Sequence, residues 1–459
     1  MFKKVGVVAL SAGLMFSAMG SVPSVEAGKP EWAGKGKPDW VEAKKGKDDV
    51  ENVIYMIPDG FNADYAKNYR LYKGVDAVWD KHLKGMYSTY SANSNITDSA
   101  AAGTAMATGV KTNNGMISQN PDGEELETIL EASQDEDMST GLVATSTITH
   151  ATPAAFASHV ESRNNQTEIA SQMIANEVDV MLGGGKNNFV PESMGGNQEE
   201  DNVLEEAEDK GYELVETRDE LMNQNDIALN KGDKLLGLFA DDALADEMSR
   251  EKDVQPSLEE MTESALEVLK QDKDGFFLMV EGSQIDWAGH DNDAGWAMKE
   301  VEAFEQAVKA ALEFAEEDGE TLVVIGGDHE TGGMTTGVNG GPASASPEAL
   351  KNVTATGAKM ASELNEDRSN AMDVLKTYTD FDWSYMEVKQ VQDAEVPALT
   401  INHLISKRAN IGWTSTNHTA VDVPLYVYGP GANDFTGFHD NTDLPKMIAE
   451  SLGASLDNE

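Results

Sequence analysis

The 459-residue chain contains no cysteine, few basic residues and, past its first 27 residues, no long apolar run. The first absence excludes a disulfide framework and removes thiolate from any metal site, so core packing, with bound ions where they occur, has to hold the fold. The second is lopsided: 34 Lys and Arg stand against 81 Asp and Glu, a formal charge of −47. Phosphate backbones are gripped by clustered cations, which excludes a nucleic-acid partner. The third leaves nothing near the roughly 18 to 20 apolar residues a membrane span needs, so the mature chain is expected to have none. At 40% hydrophobic residues the chain still has ample material for a large buried core.

The N-terminus is the exception. Lys3 and Lys4 precede the apolar stretch Val5 to Met19, and Val25-Glu26-Ala27 follows with small residues, the order of a secretory signal peptide over residues 1–27. Export to the periplasm or the extracellular space is the consequence. Residues 28–47 carry Lys29, Lys35, Lys37, Lys44, Lys45 and Lys47 among Gly, Pro and Trp, a composition that reads as a mobile leader. Residues 1–47 hold eight of the 34 basic and four of the 81 acidic residues, leaving 26 against 77, a charge of −51 over residues 48–459. Such a surface favours solubility; it also suits high salt, where screening relieves self-repulsion, and composition favours this halophilic reading.

Along the rest of the chain, short runs rich in Val, Ile, Leu and Phe end in Gly, Asp or polar residues: Val53 to Ile57, Gly141 to Ala144, Val178 to Leu182, Phe276 to Val280, Leu322 to Ile325 and Leu425 to Tyr428. These read as buried strands. Stretches of helical spacing alternate with them, such as Leu126 to Ala132, Ser257 to Lys270 and Ala297 to Phe314. The alternation predicts an α/β fold, a mainly parallel central sheet sandwiched between helices. Residues 191–233 look acidic and irregular, and residues 335–412 read as an insertion into one catalytic domain spanning 48–459.

Three of the strands run into ionisable side chains: Ile57 into Asp59, Val280 into Glu281, Ile325 into Asp328 and His329. Ligand sites of open α/β sheets gather at such carboxyl ends. Asp286 and His290 are spaced to share one face of a helical turn, although a D-x-x-x-H pair alone more often marks a surface helix. Asp328-His329 lies between glycine pairs, where a backbone can turn sharply around an ion or form an ordinary polar turn. Carboxylate and imidazole without thiolate suit zinc, and oxygen-only groups suit magnesium. In Thr97-Asp98-Ser99-Ala100-Ala101, Ser99 falls near a helix start, whose N–H groups favour an alkoxide and a bound phosphate; an ordinary cap is the alternative. His150-Ala151-Thr152 and Asn417-His418 add further donors. Arg163 offers a planar fork for phosphate oxygens, or a surface pair with Glu161.

Together with Met56-Ile57-Pro58-Asp59-Gly60, these segments closely resemble the alkaline phosphatase family, in order and over roughly residues 50 to 450. The resemblance implies hydrolysis of phosphate monoesters at alkaline pH through a phosphoserine on Ser99, with two zinc ions and one magnesium. It assigns Asp286, His290 and His418 to one zinc, and Asp59, Asp328 and His329 to the other, beside Ser99. Asp59, Thr152 and Glu281 would hold magnesium, and Arg163 would clamp the phosphate. His150 stands beside the magnesium group where some bacterial members have aspartate, and Trp287 stands near the phosphate where they have lysine. Other members share the His and Trp, and these neighbours tune magnesium affinity, phosphate release and pH optimum. Relatives are often homodimers, but no interface is legible here. A phosphodiesterase or sulfatase of the same superfamily, or a catalytically silent acidic cation-binding secreted protein, are the competing readings.

Overall fold

The apolar runs form strands because each is buried on both faces. In the computed structural model, which describes residues 50–223, 233–456 and 458, every residue of β1 (Asn52–Pro58) is buried. Its side chains alternate between two cores: Ile54 and Met56 enter one, Val53, Tyr55 and Ile57 the other, as the two-residue strand period requires. Residues 1–27, expected to be a signal peptide, and residues 28–47, expected to be a mobile leader, lie outside the described residues.

The further strands are β2 (Leu83–Ser88), β3 (Ser139–Thr147), β4 (Val180–Gly184), β5 (Tyr212–Val215), β6 (Lys234–Leu238), β7 (Phe276–Gly282), β8 (Thr321–Gly326), β9 (Glu330–Thr331), β10 (Thr335–Thr336), β11 (Ile411–Gly412), β12 (His418–Thr419), β13 (Val423–Tyr428) and β14 (Gly437–Asp440). Ten of these form one sheet in the order β14-β2-β13-β8-β1-β7-β3-β4-β6-β5. Only β13 runs against its neighbours, pairing antiparallel with β2 and β8. The sheet is thus mainly parallel, and helices cover both faces. Helices Ala63–Lys73, Leu258–Leu269 and Ala294–Asp318 contribute to the first core, and Ser99–Thr108, Ala151–Ala157 and Gln166–Ala175 to the second. Among the described residues no helix is long and apolar enough to cross a membrane.

Several local expectations needed correction. The segment 191–233 is acidic but not irregular in its described part: it supplies helix Val203–Asp209, β5 and helix Arg218–Met222. Its strand lies at the outer edge of the sheet and leaves Glu213 exposed, so the solvent-side acids mask the period. Strands β2, β5 and β14 escaped notice for the same reason, being half-exposed, like β2 with its single buried residue, Tyr87; β6 is largely buried but only five residues long and contains Gly237. The helix expected from Leu126 starts instead at Ile129, because Thr128 caps it and exchanges hydrogen bonds with Glu131. Residues 335–412 are richer in helix than expected, with Gly357–Ser362, Ala371–Tyr378, Tyr385–Asp393 and Pro397–Ala409. Arg408 stacks 4.8 Å from the Trp383 ring and anchors their aromatic patch.

Candidate active site

Strand order assembles the site. The neighbours β8, β1, β7 and β3 are all parallel, so their carboxyl ends lie side by side. At or just beyond these ends stand Asp328 and His329, then Asp59, then Glu281 as the penultimate residue of β7, then His150 and Thr152. Gly60 makes the first turn possible: its φ of +76° is the left-handed region, and a Cβ there would lie 2.7 Å from the Asp286 Cα. Its N–H donates to Asp328 Oδ1 at 3.1 Å.

Two groups of potential ligands result. Asp59, Asp328 and His329 converge in one, all buried. His329 Nε2 is 3.1 Å from Asp328 Oδ2 and 3.7 Å from Asp59 Oδ1. In the other, His418 Nε2 and His290 Nε2 each lie 3.4 Å from an oxygen of Asp286 and 3.1 Å from each other. Asp286 and His290 come from helix Gln284–His290, as the spacing predicted. The groups touch, since the rings of His329 and His418 stack with centroids 3.6 Å apart.

The tautomers are set from outside. His290 Nδ1 meets the Thr416 carbonyl at 2.7 Å, and His418 Nδ1 meets the Thr97 carbonyl at 2.8 Å. A carbonyl can only accept, so each Nδ1 carries a proton, which fixes the ring orientation and turns Nε2 toward Asp286. Thr331 ties the two groups together: its hydroxyl is bonded to Asp286 Oδ1 and stands 3.3 Å from His329 Nδ1.

The electrostatics call for cations. Asp59, Glu281, Asp286 and Asp328 are all at least nine-tenths buried. Burial raises Asp59 well above the ordinary carboxylate range, with the charges of Asp328, Asp286 and Glu281 adding to it. Burial likewise pushes Glu281 up to about 7. Burial also works against Asp286, but hydrogen bonds from His290 and His418 outweigh it and hold that carboxyl well below the usual range. The Asp286 carboxylate raises His290 to about 9. Both oxygens of Asp59, Glu281 Oε1 and Thr152 Oγ1 are buried without any hydrogen-bond partner, and Asp328 Oδ2 has only the His329 ring beside it. Unpaired buried charge of this density costs several kcal/mol per group. The donor set therefore fits bound divalent cations: nitrogen and oxygen donors at the two imidazole-containing groups suit zinc, and the oxygens of Asp59, Thr152 and Glu281 suit magnesium.

Ser99 is the first residue of helix Ser99–Thr108, whose ten residues are all buried, and Asp98 caps it by accepting the Ala101 N–H. The small residues allow close packing on helix Ala151–Ala157: a Cβ on Gly103 would lie 3.1 Å from that of Ala155. Ser99 Oγ stands 3.2 Å from His329 Nε2. Arg163 pairs with Asp98 at 3.1 Å rather than with Glu161. Its second nitrogen lies 3.3 Å from His150 Nε2, which must accept from a guanidinium and so is unprotonated. Burial, then the Arg163 charge, lower His150 to about 4. Trp287, half-buried, meets the His150 ring edge-on at 6.0 Å. All twelve residues singled out from the sequence thus come together around these groups.

Sequence reasoning missed the supports. Buried Glu330 accepts the N–H groups of Gly333 at 3.1 Å and Met334 at 3.0 Å, and binds the Thr419 hydroxyl. It thereby pins the β9–β12 ladder, which pairs Thr331 with His418. Tyr65 donates to the Thr331 carbonyl at 2.6 Å. Glu330 and Thr331 stand next to His329 in sequence, and that adjacency was the only available signal.

The family profile described as alkaline phosphatase matches residues 50–454. Alkaline phosphatase 3 of Bacillus subtilis is 40% identical, covering 98% of this chain and 97% of that protein. The crystal structure of Thermus thermophilus alkaline phosphatase superposes with a TM-score of 0.80 at 30% identity, covering 90% of this chain and 92% of the other. A variant of the alkaline phosphatase from TAB5, described with Mg bound, superposes with a TM-score of 0.68 at 28% identity, covering 89% and 99%.

Proposed function

The chain belongs to the alkaline phosphatase family, enzymes that hydrolyse phosphate monoesters, and we propose that it does so through a phosphoserine on Ser99. The observation that carries this reading is the placement of Ser99 Oγ, 3.2 Å from His329 Nε2, the residue shared by the clusters Asp59–Asp328–His329 and Asp286–His329–His418.

In this reading Asp286, His290 and His418 hold one zinc, Asp59, Asp328 and His329 a second, and Asp59, Thr152 and Glu281 a magnesium. Bound there, such ions supply Lewis acidity, lowering the pKa of a hydroxyl or water and neutralising charge on departing oxygens. The protein's own groups do the rest. Arg163 donates to the phosphate oxygens, and Asp98 and His150 hold its guanidinium in place. Trp287 packs edge-on against the His150 ring and limits its movement. Ser99 Oγ gives up its proton to solvent and attacks phosphorus in line; the ester oxygen departs with its bonding electrons and takes a proton from water. A water then gives up a proton as it attacks the phosphoseryl phosphorus from the vacated side, and the Ser99 oxygen leaves with its bonding electrons and is reprotonated, releasing inorganic phosphate. The helix start beneath Ser99 favours negative charge at both stages. Export, which residues 1–27 support, and the acidic surface suit an enzyme that works outside the cell in salt.

The test compares p-nitrophenyl phosphate with its bis-ester at alkaline pH, before and after chelation, and again with zinc and magnesium restored. Monoester hydrolysis lost to the chelator and regained with both metals is the expected result. A preference for the diester would overturn the substrate assignment. Hydrolysis of neither, over a wide salt range, would favour a silent cation-binding protein.

A further inference from the structure

Ser99 and Arg163 sit on different segments, and one short turn connects them. Residues 113–116 close on themselves through Met116 N–H donating to the Asn113 carbonyl at 3.1 Å. Gly115 adopts φ +90°, the conformation glycine takes without strain.

On one side this turn is pinned to the arginine segment. Arg163 N–H donates to the Gly115 carbonyl at 2.8 Å, and Ile117 and Val160 exchange backbone hydrogen bonds of 3.0 and 3.1 Å. On the other side, the Asn114 amide grips the residues just ahead of Ser99. Its Nδ2 donates to the Ile96 carbonyl at 3.1 Å, and its Oδ1 accepts the Asp98 N–H at 3.3 Å. Its own N–H donates to Asn93 Oδ1 at 3.0 Å. Asp98 then caps the Ser99 helix and binds the Arg163 guanidinium.

We propose that Asn114 is a positioning residue for the Ser99–Arg163 pair, its amide fixing the Ser99 segment to the turn that holds the Arg163 backbone. The inference rests on the reading of Ser99 as nucleophile and Arg163 as phosphate clamp. An amide suits the place because it donates to one backbone group and accepts from another. A carboxylate would set an oxygen against the Ile96 carbonyl, and a methyl group would bond neither. Asn114 is exposed, so water replaces its partners cheaply and its loss removes little stability. Geometry is more sensitive: displacements of about 1 Å between reacting groups can cost about 100-fold in rate.

The experiment uses the enzyme loaded with zinc and magnesium, as wild type, Asn114→Ala, Asn114→Asp, Arg163→Ala and the Asn114→Ala/Arg163→Ala double variant. It reads kcat/KM, the inhibition constant of inorganic phosphate, metal content and Tm. For Asn114→Ala we expect phosphate inhibition weakened about 5- to 10-fold and kcat/KM lowered about 10-fold, with metal content and Tm close to wild type. In the Arg163→Ala background the same substitution should change the phosphate constant by less than about two-fold, because the group it positions is gone. Equal losses in both backgrounds, or values within about two-fold of wild type, would overturn the inference. Should Asn114→Ala not fold, Asn114→Asp, alone and combined with Arg163→Ala, carries the same comparison. If Arg163→Ala itself leaves phosphate inhibition unchanged, the clamp reading fails and this inference with it; if only Asn114→Ala is silent, the clamp reading stands and this inference alone falls.

Discussion

Replacing Glu300 by Gln should make the enzyme markedly more stable at high pH and hardly so at low pH. Glu300 lies in helix Ala294–Asp318 and is 5% exposed. One of its oxygens accepts the Glu247 N–H at 2.9 Å and the Trp296 indole N–H at 2.8 Å. Burial lifts its carboxyl from 4.5 to about 8, and the Glu247 charge adds to the rise. With the folded value above the unfolded one, the native state holds a proton that the unfolded chain has already released. The stability this contributes is full below about pH 4.5 and is lost as pH climbs through 8. At about 1.4 kcal/mol per pH unit the whole swing is about 5 kcal/mol, of which about 4 falls between roughly pH 5 and 9.5. Gln keeps an acceptor oxygen for both donors and does not titrate. Any pH-independent cost of the swap cancels when the two proteins are compared at two pH values. Urea unfolding of wild type and Glu300→Gln near pH 5 and near pH 9.5 gives that difference. A stability gap that changes by less than about 0.5 kcal/mol between the two would refute the reasoning.

Two further outcomes are expected. Ser99→Ala should remain folded and metal-loaded while kcat falls by about 10³-fold or more, as circular dichroism, metal analysis and steady-state kinetics would show; turnover within about ten-fold of wild type would remove Ser99 as nucleophile. Gly60→Ala forces a side chain into φ +76° and places its Cβ 2.7 Å from the Asp286 backbone. Its cost should be about 2 kcal/mol or more, with zinc retained less well on dialysis; unchanged Tm and zinc retention would contradict the close approach.

The ligand-bearing strand ends were readable because the signal is local. A buried strand announces itself by a Val- and Ile-rich run, and the residue that follows it, Asp59, Glu281 or Asp328, stands at its carboxyl end whatever the sheet order. The helical spacing of Asp286 and His290 is local in the same way. The edge strands β5 and β14 were not legible, since solvent on one side dilutes their pattern. The roles of Thr331, Glu330 and Asn114 were silent for another reason. Threonine, glutamate and asparagine occur everywhere on protein surfaces, and only their partners, Asp286, Thr419 or the Ile96 carbonyl, give them meaning.

The sequence by itself therefore determined the central buried strands, which residues sit at their ends, and, through its resemblance to a known family, what chemistry to look for. Only the tertiary structure decided that β8, β1, β7 and β3 lie side by side. That order brings Asp59 against Asp328, and the β9–β12 ladder brings His418 against Asp286, each across more than a hundred residues of intervening chain. Propensity and spacing act within one element, whereas the choice of neighbouring strand is made by burial and backbone pairing summed over the whole sheet.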